Sequence, residues 1–504
     1  MLRPNRPAYH PPGLAARPAG PGTGRRRRLT MAPADGPVGQ TWRMRLFGPT
    51  ALVLVLAVCG CTSAGTPEAS HSPRSGTAPA ATQSPPHPGA WDWPNYHRDP
   101  AHTGRAAAAP AAGPMSIAWT RRLDGPVYGQ PLVIGRLVVA ATEGDSIYGL
   151  DRATGKVRWR AHVGTPVPLA SLPCGNIDPL GITGTMVYSP ATRLVYAVAE
   201  TTGYHHVLAG VSAVSGHVAV RRDIPTPDGH PRFDQQRAAL ALVGHRAYVA
   251  FGGLFGDCGP YRGSVVSAPI SGDGPLTSYV VPTAREAGIW GAGGPVTGTG
   301  GTIYVGVGNG AATSGAYDGS DSVTALSPRL RRTGIFAPTS WAADNASDLD
   351  LGSMSPVLVP NGMVLTVGKR GIGYLLDAAH LGGVGGQVAQ APVCSAFGGA
   401  AVRGTVAYVP CAGGGMAAVD TTGRRIRVLW RGPASAAGSP VVGGGVVWVA
   451  DWDGGTLYQL NPANGQVRRR IGLGSPLPHF ASPTLSGPLV LIGTMRGVTA
   501  VAGA

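Results

Sequence analysis

From residue 116 onward the chain alternates short apolar runs with turn residues, and no long run repeats every three to four positions as an amphipathic helix would. The stretch "GQPLVIGRLVVAATEGDSIYGLDRATGKVRWRAHV" (129–163) reads as four β-strands. Its last turn, Asp151-x-x-Thr154-Gly155 followed by Trp159, has a mechanical logic. The Asp side chain can bond the turn backbone, glycine accepts positive φ, and the tryptophan can dock against a neighbouring sheet. "AVDTTGRRIRVLW" (418–430) repeats the device, and "QLNPANGQV" (459–467) repeats the turn without the tryptophan.

The start of each innermost strand falls at Pro131, Thr185, Ala239, Pro295, Pro356, Ala400, Pro440 and Pro483, at intervals of 54, 54, 56, 61, 44, 40 and 43 residues. These are propeller-blade lengths with insertions in the first half. The last unit, "SPTLSGPLVLIGTMRGVTAVAGA", has room for three strands, and "SIAWTRRL" (116–123) would supply the fourth. The fold class is therefore all-β: a single eight-bladed β-propeller over 93–504 with its last blade closed by an N-terminal strand. Within it, "GIWGAGGPVTGTGGTIYVGVGNG" (288–310) reads as two inner strands of blade four with glycines crowded near the axis. A phosphate loop would need a helix after it, and none follows.

Composition sharpens this picture. Glycine (78) and proline (47) are abundant enough to raise the question of disorder, but 43% hydrophobic against 13% charged residues gives a large core, as many strands joined by Gly/Pro turns require. The net charge of +16 divides unevenly: residues 1–60 hold nine arginines and one aspartate, and the rest carries its excess thinly. No basic cluster with interleaved aromatics occurs, which excludes a nucleic-acid partner. Neither GxSxG, HExxH nor a Walker A pattern is present, and the thirteen histidines lack metal spacing.

The segment "RMRLFGPTALVLVLAVCGCTSAG" (43–65) is basic, then apolar over a length too short to span a bilayer, then small residues and cysteine. Its "VCGC" resembles a bacterial lipobox with Cys61 as the lipid-bearing residue; Cys59 and an ordinary cleaved signal are the alternatives. The expected layout is a disordered or over-extended start (1–42), a signal and lipobox (43–61), and a Ser/Thr/Pro/Ala tether (62–92) that holds the propeller outside the cytoplasm on the cell membrane. Four cysteines remain. An oxidising compartment implies two disulfides, for which Cys174–Cys258 and Cys394–Cys411 are the expected pairs among three pairings.

The repeat, with the preceding "WDWPNYHRDPAHTGR", resembles the quinoprotein alcohol dehydrogenase-like propellers, the PQQ-binding-like repeat proteins. That superfamily mixes dehydrogenases with non-catalytic scaffolds, including outer-membrane assembly lipoproteins. In the dehydrogenases pyrroloquinoline quinone (PQQ) and Ca²⁺ sit at the axis. The resemblance implies Trp290 as the ring platform, and Asp257, Asn309 and Asp350 as metal ligands. Asp350 would also be the catalytic base, and Lys369, in "KRGIGYLLD", would be a quinone contact. Departures are visible: no adjacent-cysteine pair, an aspartate at 257 in place of glutamate and one residue out of register, no tryptophan before Asp350, and no CxxCH haem motif.

Each residue has a plainer reading too. Asn309-Gly310 reads as a hairpin turn, Asp257 as a turn residue, Asp350 as a loop-backbone acceptor, Trp290 as blade-to-blade filler and Lys369 as a solvated charge. The expected function is a membrane-anchored module that binds a small ligand or a cell-envelope protein; the alternative is a Ca²⁺/PQQ-dependent dehydrogenase of an alcohol or sugar.

Overall fold

The structure is a computed structural model and describes residues 89–503 apart from 414, 434 and 436. The segments read as N-terminus, signal with Cys61, and most of the tether lie outside the described residues. Eight sheets, antiparallel but for a short parallel edge pair in two of them, follow one another in a ring. Their first strands begin at Leu132, Val187, Ala241, Val296, Val357, Ala401, Val441 and Thr484, one or two residues from the positions that the sequence spacing marks.

Blade one shows why these residues make blades. Its middle strands, Leu137–Ala141 and Ser146–Asp151, are buried almost throughout, whereas in its last strand, Val157–His162, only Trp159 and Ala161 are buried. A strand sandwiched between two neighbouring blades must be apolar on both faces; the outermost strand meets solvent and alternates. The hydrophobic core is accordingly a ring of seams. Leu132 and Val139 of blade one pack with Val195 and Ala197 of blade two, and comparable clusters join each following pair. Ser116–Arg122 pairs antiparallel with Gly497–Ala502 at the outer edge of blade eight, Ser116 opposite Ala502.

Tryptophans lock adjacent outer edges. Trp159 Nε1 donates to the Ala213 carbonyl in blade two at 3.2 Å, Trp119 Nε1 to Arg152 in blade one at 3.0 Å, and Trp430 Nε1 to Pro462 in blade seven at 2.9 Å. Each indole covers the turn glycine of the next blade. At Gly155 (φ +64°) a Cβ would fall 2.5 Å from the Trp119 ring, so only glycine admits both the turn and the indole. The Asp151 carboxylate accepts the Thr154 N–H at 3.1 Å, as the turn motif requires.

The segment 93–106 is a strap across the inner strands. Trp93 exchanges backbone hydrogen bonds with Val133 of blade one; the carbonyls of Pro94, Pro100, Thr103 and Gly104 accept from Tyr188, Thr297, Val402 and Val442 of blades two, four, six and seven. His97 sits at its centre, donating from Nδ1 to the Ala400 carbonyl (3.1 Å) and accepting from the Ser482 hydroxyl (3.0 Å), with Tyr96 stacked on its ring. One end of the central opening is thereby closed. Both disulfides form: Cys174–Cys258 ties the loop entering blade two to a loop of blade three, and Cys394–Cys411 ties the entry of blade six to its second strand, Val406–Cys411.

Candidate functional site

At the end of the ring away from the strap, loops converge on a cavity of about 550 Å³. Asp257, Trp290, Asn309, Asp350 and Lys369 all line it, although they come from three blades. They arrive on two kinds of segment: loops joining the second and third strands of a blade, and chain leading into the next inner strand. Both kinds end at the same face of the ring.

Asp350 and Asn309 are held together. The Asn309 backbone N–H donates to Asp350 Oδ1 at 2.8 Å, and its side-chain amide donates to Asp348 Oδ1 at 2.8 Å. Gly308 makes this approach possible, because a Cβ there would lie 2.2 Å from Asp350 Oδ1. Lys369 Nζ bonds Asp348 at 2.5 Å and pairs with Asp350 Oδ2. Burial works against the lysine charge, but the flanking carboxylates outweigh it and hold its pKa above the ordinary lysine value. The ammonium lies 5.8 Å from the Trp290 ring centroid and 5.9 Å from that of Phe397. Asp257 lies in the loop bound by Cys258 and accepts the Tyr261 hydroxyl at 2.6 Å; burial and this carboxylate drive the Tyr261 pKa well above its usual value.

Several plain readings of these residues give way. Asn309-Gly310 is not a tight hairpin turn, since Ile303–Val307 and Ser322–Leu326 are joined by a long loop that carries Asn309 to the cavity. Lys369 is not a solvated charge, with only 18% of its side chain exposed. Asp257 is both turn and lining, at φ +49°.

Sequence reasoning missed much of the lining, including Arg237, Glu286, Asp348, Phe397 and Phe480. A signal was present. Arg237, Phe397 and Phe480 each stand four residues before the inner strand of their blade, as do Tyr128, Thr183 and Ala292, which line a small pocket of about 20 Å³ shared with Arg237, Phe480 and Tyr96 of the strap. That repeat position faces the axis. The Phe397 and Phe480 rings lie parallel within 9°, their centroids 6.1 Å apart, and each is about as far from Trp290.

The arrangement offers an aromatic wall, two cations and four carboxylates to a small ligand. Its aromatic faces fit a flat ring. Its oxygen donors fit a metal less well. Asn309 Oδ1 is buried without a hydrogen-bond partner and is a free hard donor, but both Asp350 oxygens and Asp257 Oδ1 are engaged by the groups named above. Among the described residues, no group of three or more His, Cys, Asp or Glu side chains is arranged to hold a metal ion. Calcium takes six to eight oxygens. The site as folded is a ring cleft in which Asn309 Oδ1 is unpartnered, while Lys369 and Tyr261 engage the Asp350 and Asp257 carboxylates.

Residues 114–256 match the family model described as outer membrane protein assembly factor BamB. Among solved structures, the quinohemoprotein alcohol dehydrogenase of Comamonas testosteroni is similar at 14% identity and TM-score 0.62, covering 82% of this chain and 80% of that one. A europium-containing methanol dehydrogenase gives 14% identity and 0.61, over 82% and 98%. BamB from Moraxella catarrhalis gives 14% and 0.54, over 77% and 97%. No curated protein matches the sequence. The chain folds as an eight-bladed β-propeller, and within it residues 114–256 are similar to the BamB family model.

Proposed function

We propose that this protein is an exported, lipid-anchored binding module whose propeller takes a small, flat, polar ligand in the cavity at Trp290. The observation that carries the reading is convergence: loops of several blades bring aromatic and charged side chains to one 550 Å³ cavity, within the usual range for small-molecule sites. The strap closes the opposite end, so the axis is a cup. The BamB likeness supports a cell-envelope protein as the other class of partner, met on the faces of the blades rather than in the cup. Anchoring rests on "VCGC" and is tested separately: Cys61→Ser should move the protein from the membrane fraction to the medium.

Saturable quenching of tryptophan fluorescence by PQQ, with and without Ca²⁺, tests the cavity reading in the purified full-length protein. Trp290→Ala should abolish it. Absence of quenching by PQQ and by simpler heteroaromatic acids alike would turn the reading toward the protein partner.

A quinone-dependent dehydrogenase of an alcohol or sugar is the second reading, supported by the free Asn309 Oδ1 beside the Asp350–Lys369 pair. In that reading Trp290 and Lys369 would hold the cofactor, Asp257, Asn309 and Asp350 would hold Ca²⁺, and the quinone would supply hydride acceptance. Dye reduction with an alcohol panel in the presence of PQQ and Ca²⁺ separates it from binding alone.

A further inference from the structure

The strap does not reach every blade. In blades one, two, four, six and seven the second residue of the inner strand donates its N–H to a strap carbonyl: Val133, Tyr188, Thr297, Val402 and Val442. Leu242, Leu358 and Leu485 hold that place in blades three, five and eight, and among the described residues their N–H groups meet no strap carbonyl. Leu242 keeps the register of Val133, one lying opposite Ala247 and the other opposite Val138. The strap misses it by passing from Pro94 on blade two to Pro100 on blade four. On the way the backbone turns through left-handed conformations at His97 (φ +50°) and Arg98 (φ +79°), which residues other than glycine seldom adopt. A cavity of about 650 Å³ is left between the strap and blades two to four, with Leu242 in its wall. It shares no lining residue with the cup at Trp290.

The charged residues of this wall are all engaged within the fold. Asp92 accepts the Gly89 and Gly135 N–H groups, each at 2.8 Å; Asp99 accepts the Thr103 N–H at 3.0 Å and the Thr103 hydroxyl; Arg98 donates to the carbonyls of Asp92, Arg105 and Ala90. Its neutral polar residues are not. Asn95 Oδ1, both ring nitrogens of His102 and Thr297 Oγ1 are buried without a hydrogen-bond partner, and Asn95 and His102 are only 6% and 3% exposed. Burial, and after it His97, lowers the His102 pKa to about 3, so the ring is neutral and offers one donor and one acceptor. The rest of the wall is largely apolar, with Pro94, Pro100, Val187, Pro190 and Ala241. The cavity beside Leu358 differs, because no residue lining it has a buried side-chain atom without a partner. Buried polar groups are nearly always bonded, so a cavity that gathers several unbonded ones lacks the partner that would complete them.

We infer that the strap cavity is a second ligand site, which takes a small uncharged molecule carrying an amide on an apolar body. The ligand's carbonyl accepts from the Leu242 N–H, the place that a strap carbonyl fills on five other blades, and its remaining amide groups answer Asn95 and His102. An ionised ligand is excluded by cost, since no charge in the wall is free to meet it. The volume lies within the usual range for small-molecule sites. This site is separate from the cup and does not depend on what the cup binds.

The test compares N-acetylleucine methylamide with its ionised analogue, N-acetylleucine, on the full-length protein at neutral pH by calorimetry. The methylamide should bind at least tenfold tighter than the acid. Asn95→Leu should weaken methylamide binding at least tenfold. Ala191→Trp, which places an indole at the exposed rim of the cavity without touching the strap, should abolish it. Trp290→Ala should leave it unchanged, which separates this site from the cup. If Asn95→Leu lowers the Tm of the ligand-free protein, Ala191→Trp alone decides. The inference is overturned if the methylamide does not bind, if the acid binds as tightly, if binding survives in Ala191→Trp, or if Trp290→Ala removes it. None of these results bears on the reading of the cup, which PQQ quenching tests by itself.

Discussion

Lys369 pairs its ammonium with Asp350, whose other carboxylate oxygen is held by the Asn309 N–H at 2.8 Å. Asp350 is 7% exposed and Lys369 18%, so the pair is largely out of water. Removing one partner from such a pair strands the other charge. Lys369→Met should therefore cost roughly 3–5 kcal/mol of unfolding free energy, read as a lower denaturation midpoint at unchanged slope. Lys369→Met combined with Asp350→Leu should recover part of that loss.

The tryptophan locks predict a matched pair of glycine substitutions. Gly155→Ala places a methyl in a left-handed turn and against the Trp119 indole; Gly135→Ala meets the same backbone demand (φ +58°) with nothing within 4 Å. The control should lose about 1–2 kcal/mol and Gly155→Ala a further 1–3 kcal/mol for displacing the ring. Equal losses in thermal melts would refute the lock.

Buried acids predict an unusual dependence on pH. Burial raises Glu143, Asp145 and Asp321 to about 8 and Asp234 to about 9. Each binds its proton more tightly folded than unfolded. The stability they contribute is complete below the unfolded values near 4 and is lost as pH rises through 8 and 9. His97 and His102, lowered by burial to about 4 and about 3, act oppositely: their contribution is complete above about 6.5 and is lost as pH falls. Four acids outweigh two histidines once the unfolded acids ionise, so stability should peak on the acid side, near pH 4, and fall toward pH 8. Glu143→Gln should flatten that fall by about 1 kcal/mol per pH unit, measured by urea titration across the range.

The two disulfides close loops of different length, with sequence separations of 84 and 17. Chain entropy assigns about 4.5 kcal/mol to Cys174–Cys258 and about 3 kcal/mol to Cys394–Cys411. Replacing the first pair by serines should lower the Tm more. It should also weaken ligand binding, because Asp257 is carried on the loop that Cys258 anchors; the second replacement should leave binding unchanged.

Blade number, strand order and inner-strand starts were legible because each blade is built from near neighbours in the chain, so turn chemistry and strand patterning recur with the repeat. The opening glycines of blade four, the Asp151 turn and the docking role of Trp159 could be read this way. So could the two cysteine pairs, from which strands and loops their spacing would join. Trp119 needed the ring, since its strand reaches the Gly155 turn as the outer strand of blade eight, paired with Gly497–Ala502.

The site was only half visible. The family likeness pointed to Asp257, Trp290, Asn309, Asp350 and Lys369, but nothing local showed that Asn309 sits on a long loop instead of a tight turn, or that Lys369 is enclosed. Arg237, Phe397 and Phe480 share one repeat position, yet which residue at that position meets an ion partner depends on the other seven blades. The strap's "WPNYHRDP" gave no hint that it closes the axis, because its hydrogen bonds go to strands as far away as Val402 and Val442. Local periodicity is a property of the chain, whereas counter-charge and enclosure are properties of the closed ring. Sequence determined the first; only the tertiary structure could decide the second.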